Sequence, residues 1–374
     1  MLSKSRADIL LFLMTITLVG IGVLMIYSSS AIFANEHTGD PYYFLKRQLC
    51  WIAIGLIGLF GAWNLNYHSL QKKSLPLFVL GLCLVSLTII PGLGHEISGA
   101  TRWLKIGFLS FQPSELVRIV FVIYLTDFIV RRKKELQGFF QGFIPSLIFL
   151  MIVVIILLKQ PHLGMAVLLG MVTISILFVG GAKIQHLIYL VLISIPAIYF
   201  LIQNAPYRAK RLTVFLNPWI DPEHKGYHII QSLLALGSGG FYGVGLGESK
   251  LKLFYLPQSS TDFIFAVIGE EGGFLLAVLV IILFFVFAFA GFKISLSAAD
   301  PYGSLLAFGI TALIILQALL NIGVVTGVVP TTGMPLPFIS FGGSSLVINM
   351  IGVGIILNIA KYSLQQSYTC RLYQ

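Results

Sequence analysis

Residues Ile9–Tyr27 read ILLFLMTITLVGIGVLMIY, and they decide the class of the protein. No side chain in the run is charged, and its length matches the roughly 20 apolar residues that cross a bilayer core as a helix. Lys4 and Arg6 precede it and SSSA (28–31) follows, an arrangement that imitates a secretory signal. The apolar part of a signal is shorter, about 7–15 residues, so the run is expected to remain as a first spanning helix.

Composition extends that reading to the whole chain. Of 374 residues, 57% are hydrophobic and only 10% charged, and mean hydropathy is +0.94. A water-soluble domain carries about a quarter charged residues. Ten runs are long enough to span, at 8–28, 47–65, 75–92, 113–130, 143–159, 163–180, 185–202, 263–291, 302–327 and 345–361. The expectation is an all-α polytopic membrane protein, one domain over 1–374, with ten transmembrane helices. Basic residues concentrate in alternate short loops, most densely at Arg131, Arg132, Lys133 and Lys134. Such residues favour the cytoplasmic side, which places both termini there. The net charge of +10 therefore implies a membrane orientation rather than a nucleic-acid partner. Cys50, Cys83 and Cys370 are scattered and form no metal or disulfide pattern.

One connection is long. Residues 203–261 lie on the outer side and are rich in aromatic and branched residues, which argues for an ordered extracytoplasmic loop. Within it, YHIIQSLLAL predicts a short helix over Tyr227–Leu236, ended by Gly237. A second outer stretch, Asn321–Ser345, contains Pro330, Pro335, Pro337, Gly342 and Gly343, which forbid a regular helix. Irregular backbone at membrane depth persists only against protein or a wet cavity, so this stretch is expected to cover an outer cavity.

The charged residues that remain are the candidates for chemistry. Asp262 stands at the outer mouth of the eighth run, where an acid serves either as a helix cap or as a functional group. Glu270 follows eight residues later, about 12 Å deeper at 1.5 Å per residue, with Glu271 beside it. Glu115 and Arg118 are three apart on the fourth helix and predict an inward-facing ion pair. Arg102, Lys105, Arg208, Lys210, Arg211, Lys250 and Lys252 gather on the outer side against the positive-inside trend, as a phosphate or diphosphate headgroup would require. The glycines of GSGGFYGVGLGES (237–249) lack the Lys-Ser/Thr of a phosphate-binding loop, so nucleotide binding is rejected. Neither HExxH nor GxSxG occurs.

Read in order, IYSSS, GATRWLKIG, FQPSEL, QPHLG, FLNPWIDPEHKGY, QSLLALGSGG, GVGLGES, STDFIFAVIGEEGG and PLPFISFGGSS make a series covering nearly the whole chain. This series resembles the SEDS family, which includes FtsW, SpoVE and RodA, and sits closer to the FtsW/SpoVE branch. The resemblance implies a ten-helix peptidoglycan glycosyltransferase of the bacterial inner membrane that polymerises lipid II in cell division or cell-wall growth, at the septum. It implies a class B penicillin-binding protein (a transpeptidase) as partner, alongside other division or elongation proteins. The family's essential aspartate, in TDF, maps to Asp262. This chain also departs from the pattern: His162 stands where an aspartate is usual, Thr332 and Arg118 where lysine is, and Gln258 and Ser260 where Glu and His are common.

On that reading Asp262 is the general base, taking the proton from the GlcNAc 4-hydroxyl as it attacks MurNAc C1. Arg102, Lys105, Arg208, Arg211, Lys250 and Lys252 are the candidate diphosphate contacts, and Glu115, Arg118 and Ser344 complete the expected substrate-binding set. A divalent cation, Mg2+ or Mn2+, would share in stabilising the leaving group, but His162 removes the basis for transferring a metal site. Two other functions fit ten helices with buried charge: a lipid II flippase, and a non-catalytic division scaffold. Clustering of the charges on the outer side rather than at the midplane, with no inverted repeat, counts against the flippase.

Overall fold

The computed structural model describes residues 4–90, 94–97, 100–106, 109–204, 206–223, 226–249 and 260–372. Each of the ten apolar runs is a helix. In chain order the helices are α1 (Lys4–Thr38), α2 (Tyr43–Asn64), the short α3 (Tyr67–Lys72), α4 (Ser74–Leu87), α5 (Pro113–Arg131), α6 (Ile144–Lys159), α7 (Leu163–Gly180), α8 (Ile184–Gln203), α9 (Pro206–Leu216), α10 (Tyr227–Ser238), α11 (Ile264–Ser297), α12 (Pro301–Val325) and α13 (Gly343–Leu372).

Seven of them are long and apolar enough to cross a membrane: α1, α2, α6, α7, α11, α12 and α13. Ser74–Leu87 and Ile184–Pro196 are shorter apolar helices. The remaining expected span, α5, carries Glu115, Arg118, Asp127 and Arg131, which dilute its hydropathy. The protein is thus a multi-span helical membrane protein.

The expected all-α class needs one amendment. Between α4 and α5 lie three short antiparallel strands, β1 (His95–Ile97), β2 (Ala100–Ile106) and β3 (Leu109–Phe111), in the order β1-β2-β3. Trp103 pairs with His95, and Leu104 with Phe111. The segment is too short and polar to span. Pairing strand to strand satisfies its backbone N–H and C=O groups.

α13 is the central helix. It packs along α2 and also meets α1, α5, α11 and α12. Helices in a bilayer gain little from the hydrophobic effect on each other and instead pack closely through small residues. Gly354 shows this: a Cβ there would stand 2.3 Å from the Leu59 carbonyl oxygen. One end of the bundle is tied by polar groups. Tyr67 O–H donates to Asp300, Tyr67 N–H to Asn358 Oδ1 (3.0 Å), and Ser74 Oγ to Asp127 Oδ2 (2.6 Å). The opposite end carries the sheet, the α6–α7 turn, the described parts of the segment 204–263 and the segment 326–342. The helix expected at Tyr227–Leu236 forms as α10, docks on α11 and α12, and donates from Ser232 Oγ to Val325 O (2.6 Å).

Candidate active site

Asp262 stands in a turn two residues before α11. Phe263 occupies the N-cap position and no side chain caps the helix, so Asp262 does not take the capping role left open by the sequence. Its turn is held by the proline-rich segment, as the proline spacing predicts. Asn321 Nδ2 donates to Asp262 O and to Met334 O, both at 2.8 Å. Ser340 Oγ donates to Thr261 O (2.6 Å), and Phe341 N–H to Ser260 O (2.8 Å). Gly333, at φ +71°, lies so close that a Cβ there would be 3.8 Å from Asp262 Oδ2. The backbone around the carboxylate is therefore fixed, while among the described residues no hydrogen bond to the carboxylate itself is present.

Two guanidinium groups set its electrostatics. Burial pushes the Asp262 carboxyl up to about 6, against the opposing pull of Arg102 and Arg211. Arg102, from β2, donates through Nε to Gln160 O (2.9 Å) and through Nη2 to Pro161 O. Arg211, from α9, donates through Nη1 to Thr331 O (3.2 Å). Sheet, α6–α7 turn, outer loop and proline-rich segment thus converge on one carboxylate. The α6–α7 turn contributes His162, only 2% exposed, whose Nδ1 has no partner among the described residues. Burial and then the fields of Arg102, Arg211 and Arg118 hold the imidazole down to about 3, so it is neutral in ordinary buffers. His228 of α10 stacks on Phe263 with ring centroids 5.7 Å apart, and burial lowers its pKa too. Only its fall on the predicted short helix pointed to it in the sequence.

The other expected residues divide. Glu115 and Arg118 form the predicted ion pair at 2.7 Å, fully buried. Arg118 also donates to Gln317, to Asn349 Oδ1 (2.9 Å) and to Ser345 Oγ (3.4 Å). This network joins α5, α12 and α13. Ser344 Oγ accepts from Gln112 N–H (3.1 Å) and bonds Ser110 O (3.5 Å), fastening α13 to β3 and α5. Lys105 lies in β2 opposite Ser110 and Arg208 in α9, with side chains outside the described set; Lys250 and Lys252 lie outside the described residues.

Glu270 and Glu271, inside α11, are each engaged by a serine. Glu270 accepts from Ser249, and Glu271 from Ser28 Oγ at 2.7 Å. They sit where α11 breaks at Gly273 (φ 65°, ψ −166°). There the glycine-rich segment 237–247 docks backbone to backbone: Val244 N–H donates to Glu270 O (3.0 Å), Gly245 N–H to Glu271 O (3.1 Å), and Phe274 N–H to Gly240 O (2.9 Å). A Cβ on Gly243 would stand 2.2 Å from Glu271 O. Glycine at 243 permits that approach. Among the described residues no group of three His, Cys, Asp or Glu could hold a metal ion.

Comparison with known proteins supplies the context. A family model for FtsW, RodA and SpoVE, described as cell cycle protein, matches residues 8–365. Stage V sporulation protein E of Bacillus subtilis is 42% identical over 360 residues, covering 96% of this chain and 98% of that protein. A probable peptidoglycan glycosyltransferase FtsW of Geobacter metallireducens is 41% identical over 355 residues, 95% of each. Among solved structures, a chain of a peptidoglycan synthase complex that coordinates polymerization and crosslinking superposes with TM-score 0.76 at 26% identity, covering 95% of this chain and 98% of its own. Thermus thermophilus rod shape determining protein RodA gives TM-score 0.67 at 26% identity, covering 94% and 95%.

Proposed function

The chain belongs to the FtsW, RodA and SpoVE family, and from that premise we propose that it polymerises lipid II with Asp262 as general base. It is a peptidoglycan glycosyltransferase of the bacterial inner membrane. The supporting observation for the base is the Asp262 carboxylate itself: fixed through its backbone, unbonded among the described residues, and facing Arg102 and Arg211 at the loop-bearing end.

The chemistry follows from the charges. A pKa of about 6 leaves Asp262 ionised at neutral pH yet more basic than an ordinary carboxylate. A base matched in this way to the working pH is the efficient one. It accepts the 4-hydroxyl proton of the acceptor GlcNAc as that oxygen bonds to MurNAc C1. The C1–O bond to the diphosphate breaks, and the α-linked donor becomes a β-linked glycan by inversion. The departing diphosphate gathers negative charge, which Arg102 and Arg211 stabilise from fixed positions. Both arginines are already oriented by main-chain carbonyls, so little reorganisation accompanies the reaction.

Several features of the setting are part of the proposal. Ten helices span the membrane, with both termini cytoplasmic and the Asp262 end outside, where lipid II sugars stand. The protein acts at the division septum, beside a class B penicillin-binding protein that crosslinks the new strand; the partner, though not the location, is supported by the solved relative from a complex that coordinates polymerization and crosslinking. A Mg2+ or Mn2+ ion enters with the diphosphate of the substrate rather than from a protein site. The test is reconstitution in vesicles with lipid II, with and without the class B partner. Glycan strands as product support the reading. Movement of lipid II between leaflets without glycan product rejects it.

A further inference from the structure

Two side chains on segments that bear the arginine anchors of Asp262 have unused hydrogen-bonding capacity that the reaction above does not employ. Among the described residues, neither His162 Nδ1 nor Thr332 Oγ1, both buried, has a hydrogen-bond partner. Buried polar groups in folded proteins are nearly always paired, so each such exception calls for an account. The two lie on facing segments. Gly164, two residues beyond His162 in the first turn of α7, approaches Thr332 so closely that a Cβ there would stand 2.7 Å from Thr332 O and 2.8 Å from Thr332 Cβ. Thr332 in turn lies between Thr331, whose carbonyl receives Arg211, and Gly333, which lies against the Asp262 carboxylate. Pro161, just before His162, receives Arg102.

The charge of the surroundings decides what these groups fit. Arg102, Arg211 and Arg118 all act on His162, and the first two also act on Asp262. A phosphate oxygen is drawn to guanidinium, where two charge-assisted bonds are available. A neutral imidazole and a neutral hydroxyl offer it far less. They match a neutral group with both donor and acceptor capacity, such as a sugar hydroxyl or an N-acetyl amide, placed next to an anion.

We propose that His162, with Thr332 opposite, forms a neutral hydrogen-bonding notch that reads the sugar directly attached to the diphosphate of the lipid-linked donor. This rests on the reading of the chain as a lipid II polymerase. His162 is on this account a specificity-determining contact, separate from the arginines that hold the diphosphate and from the base. It gives the site a way to distinguish a lipid diphosphate that carries sugar from one that does not, which is the difference between substrate and product carrier.

The test compares binding of lipid II and of undecaprenyl diphosphate, which lacks the sugar, to the purified full-length protein. His162→Phe keeps a planar ring and loses both nitrogens. Its lipid II affinity is expected to fall about 3- to 10-fold, the worth of one or two hydrogen bonds, while undecaprenyl diphosphate binds as before. His162→Asn restores an amide donor and acceptor and is expected to recover most of the loss. His162→Leu is read in the same way if the phenylalanine variant unfolds. Unchanged lipid II binding, or equal loss for both lipids in a folded variant, overturns the proposal. Polymerisation by the unaltered protein is measured in parallel. If that protein binds lipid II selectively through His162 but makes no glycan, the reading as a polymerase fails and the notch stands.

Discussion

Asn321 Nδ2 donates to the main-chain oxygen of Asp262 at 2.8 Å and ties the proposed base to α12. The same amide reaches Met334 O, so one buried side chain joins the start of α11, the middle of the irregular segment and the helix between them. Asn321→Leu strands two carbonyl oxygens, each at about 1–3 kcal/mol if left unpaired. Turnover is expected to fall about tenfold or more while lipid II affinity stays within about threefold, because the base is displaced but the arginines are not. Separate measurement of kcat and KM checks this. A loss confined to KM contradicts it.

The pH dependence follows from the raised pKa of Asp262. Polymerisation requires the ionised carboxylate, so the rate is expected to be half-maximal near pH 6 and to fall about tenfold per unit below that. Stability runs the other way. A carboxyl whose folded pKa exceeds its unfolded value binds its proton more tightly in the folded state. That contribution is complete below about pH 4 and is lost as pH rises through about 6. At pH 8 the folded protein therefore carries an ionised group costing roughly 3 kcal/mol, a shift of about two units at 1.36 kcal/mol each. Asp262→Asn is expected to raise the unfolding temperature at pH 8 and to change it little at pH 4. A lowered midpoint at pH 8 would show that the carboxylate stabilises the fold.

The Glu115–Arg118 pair predicts an asymmetry. Both groups are buried, and Arg118 is shared with Gln317, Ser345 and Asn349. Arg118→Leu leaves a buried carboxylate without its partner and is expected to destabilise the protein by about 3–5 kcal/mol. The double variant Glu115→Gln/Arg118→Met is expected to lose much less. Thermal unfolding in one detergent compares them, and equal losses contradict the pairing.

Much of this was legible from residue order. Length of apolar run marks the long helices, because a bilayer core demands it, but not α3 or α9; Pro330, Pro335 and Pro337 mark the irregular segment against Asp262. The ion pair at 115 and 118 follows from helical spacing alone. What local pattern does not contain is long-range backbone pairing. The break of α11 at Gly273 lies inside an apolar run, and the partner that makes it tolerable, segment 237–247, is remote in sequence. The partners of Glu270 and Glu271 are hidden for the same reason: Ser249 and Ser28, which engage them, are known only from the fold. The sheet carrying Arg102 escaped because its strands, at three to seven residues, are too short for periodicity to register.

That remote pairing gives its own prediction. Gly243 has φ +83°, and its Cβ position is filled by Glu271 O at 2.2 Å, whereas Gly247, at φ +86°, has open space around it. Gly243→Ala is expected to pry the glycine-rich segment from the helix break and to destabilise by more than the roughly 1–2 kcal/mol that left-handed geometry alone costs an alanine. Gly247→Ala should show only that smaller cost. Hydrogen exchange at Val244 and Gly245 N–H reports the loosening directly, and equal effects of the two substitutions would contradict the account.

The most direct measurement is the rate at which purified Asp262→Asn protein polymerises lipid II at pH 8, with lipid II affinity determined on the same sample. Asparagine keeps the shape and loses the basicity. The account predicts a rate about 10²–10⁴ below that of the unaltered protein with affinity retained; polymerisation at the unaltered rate would contradict it.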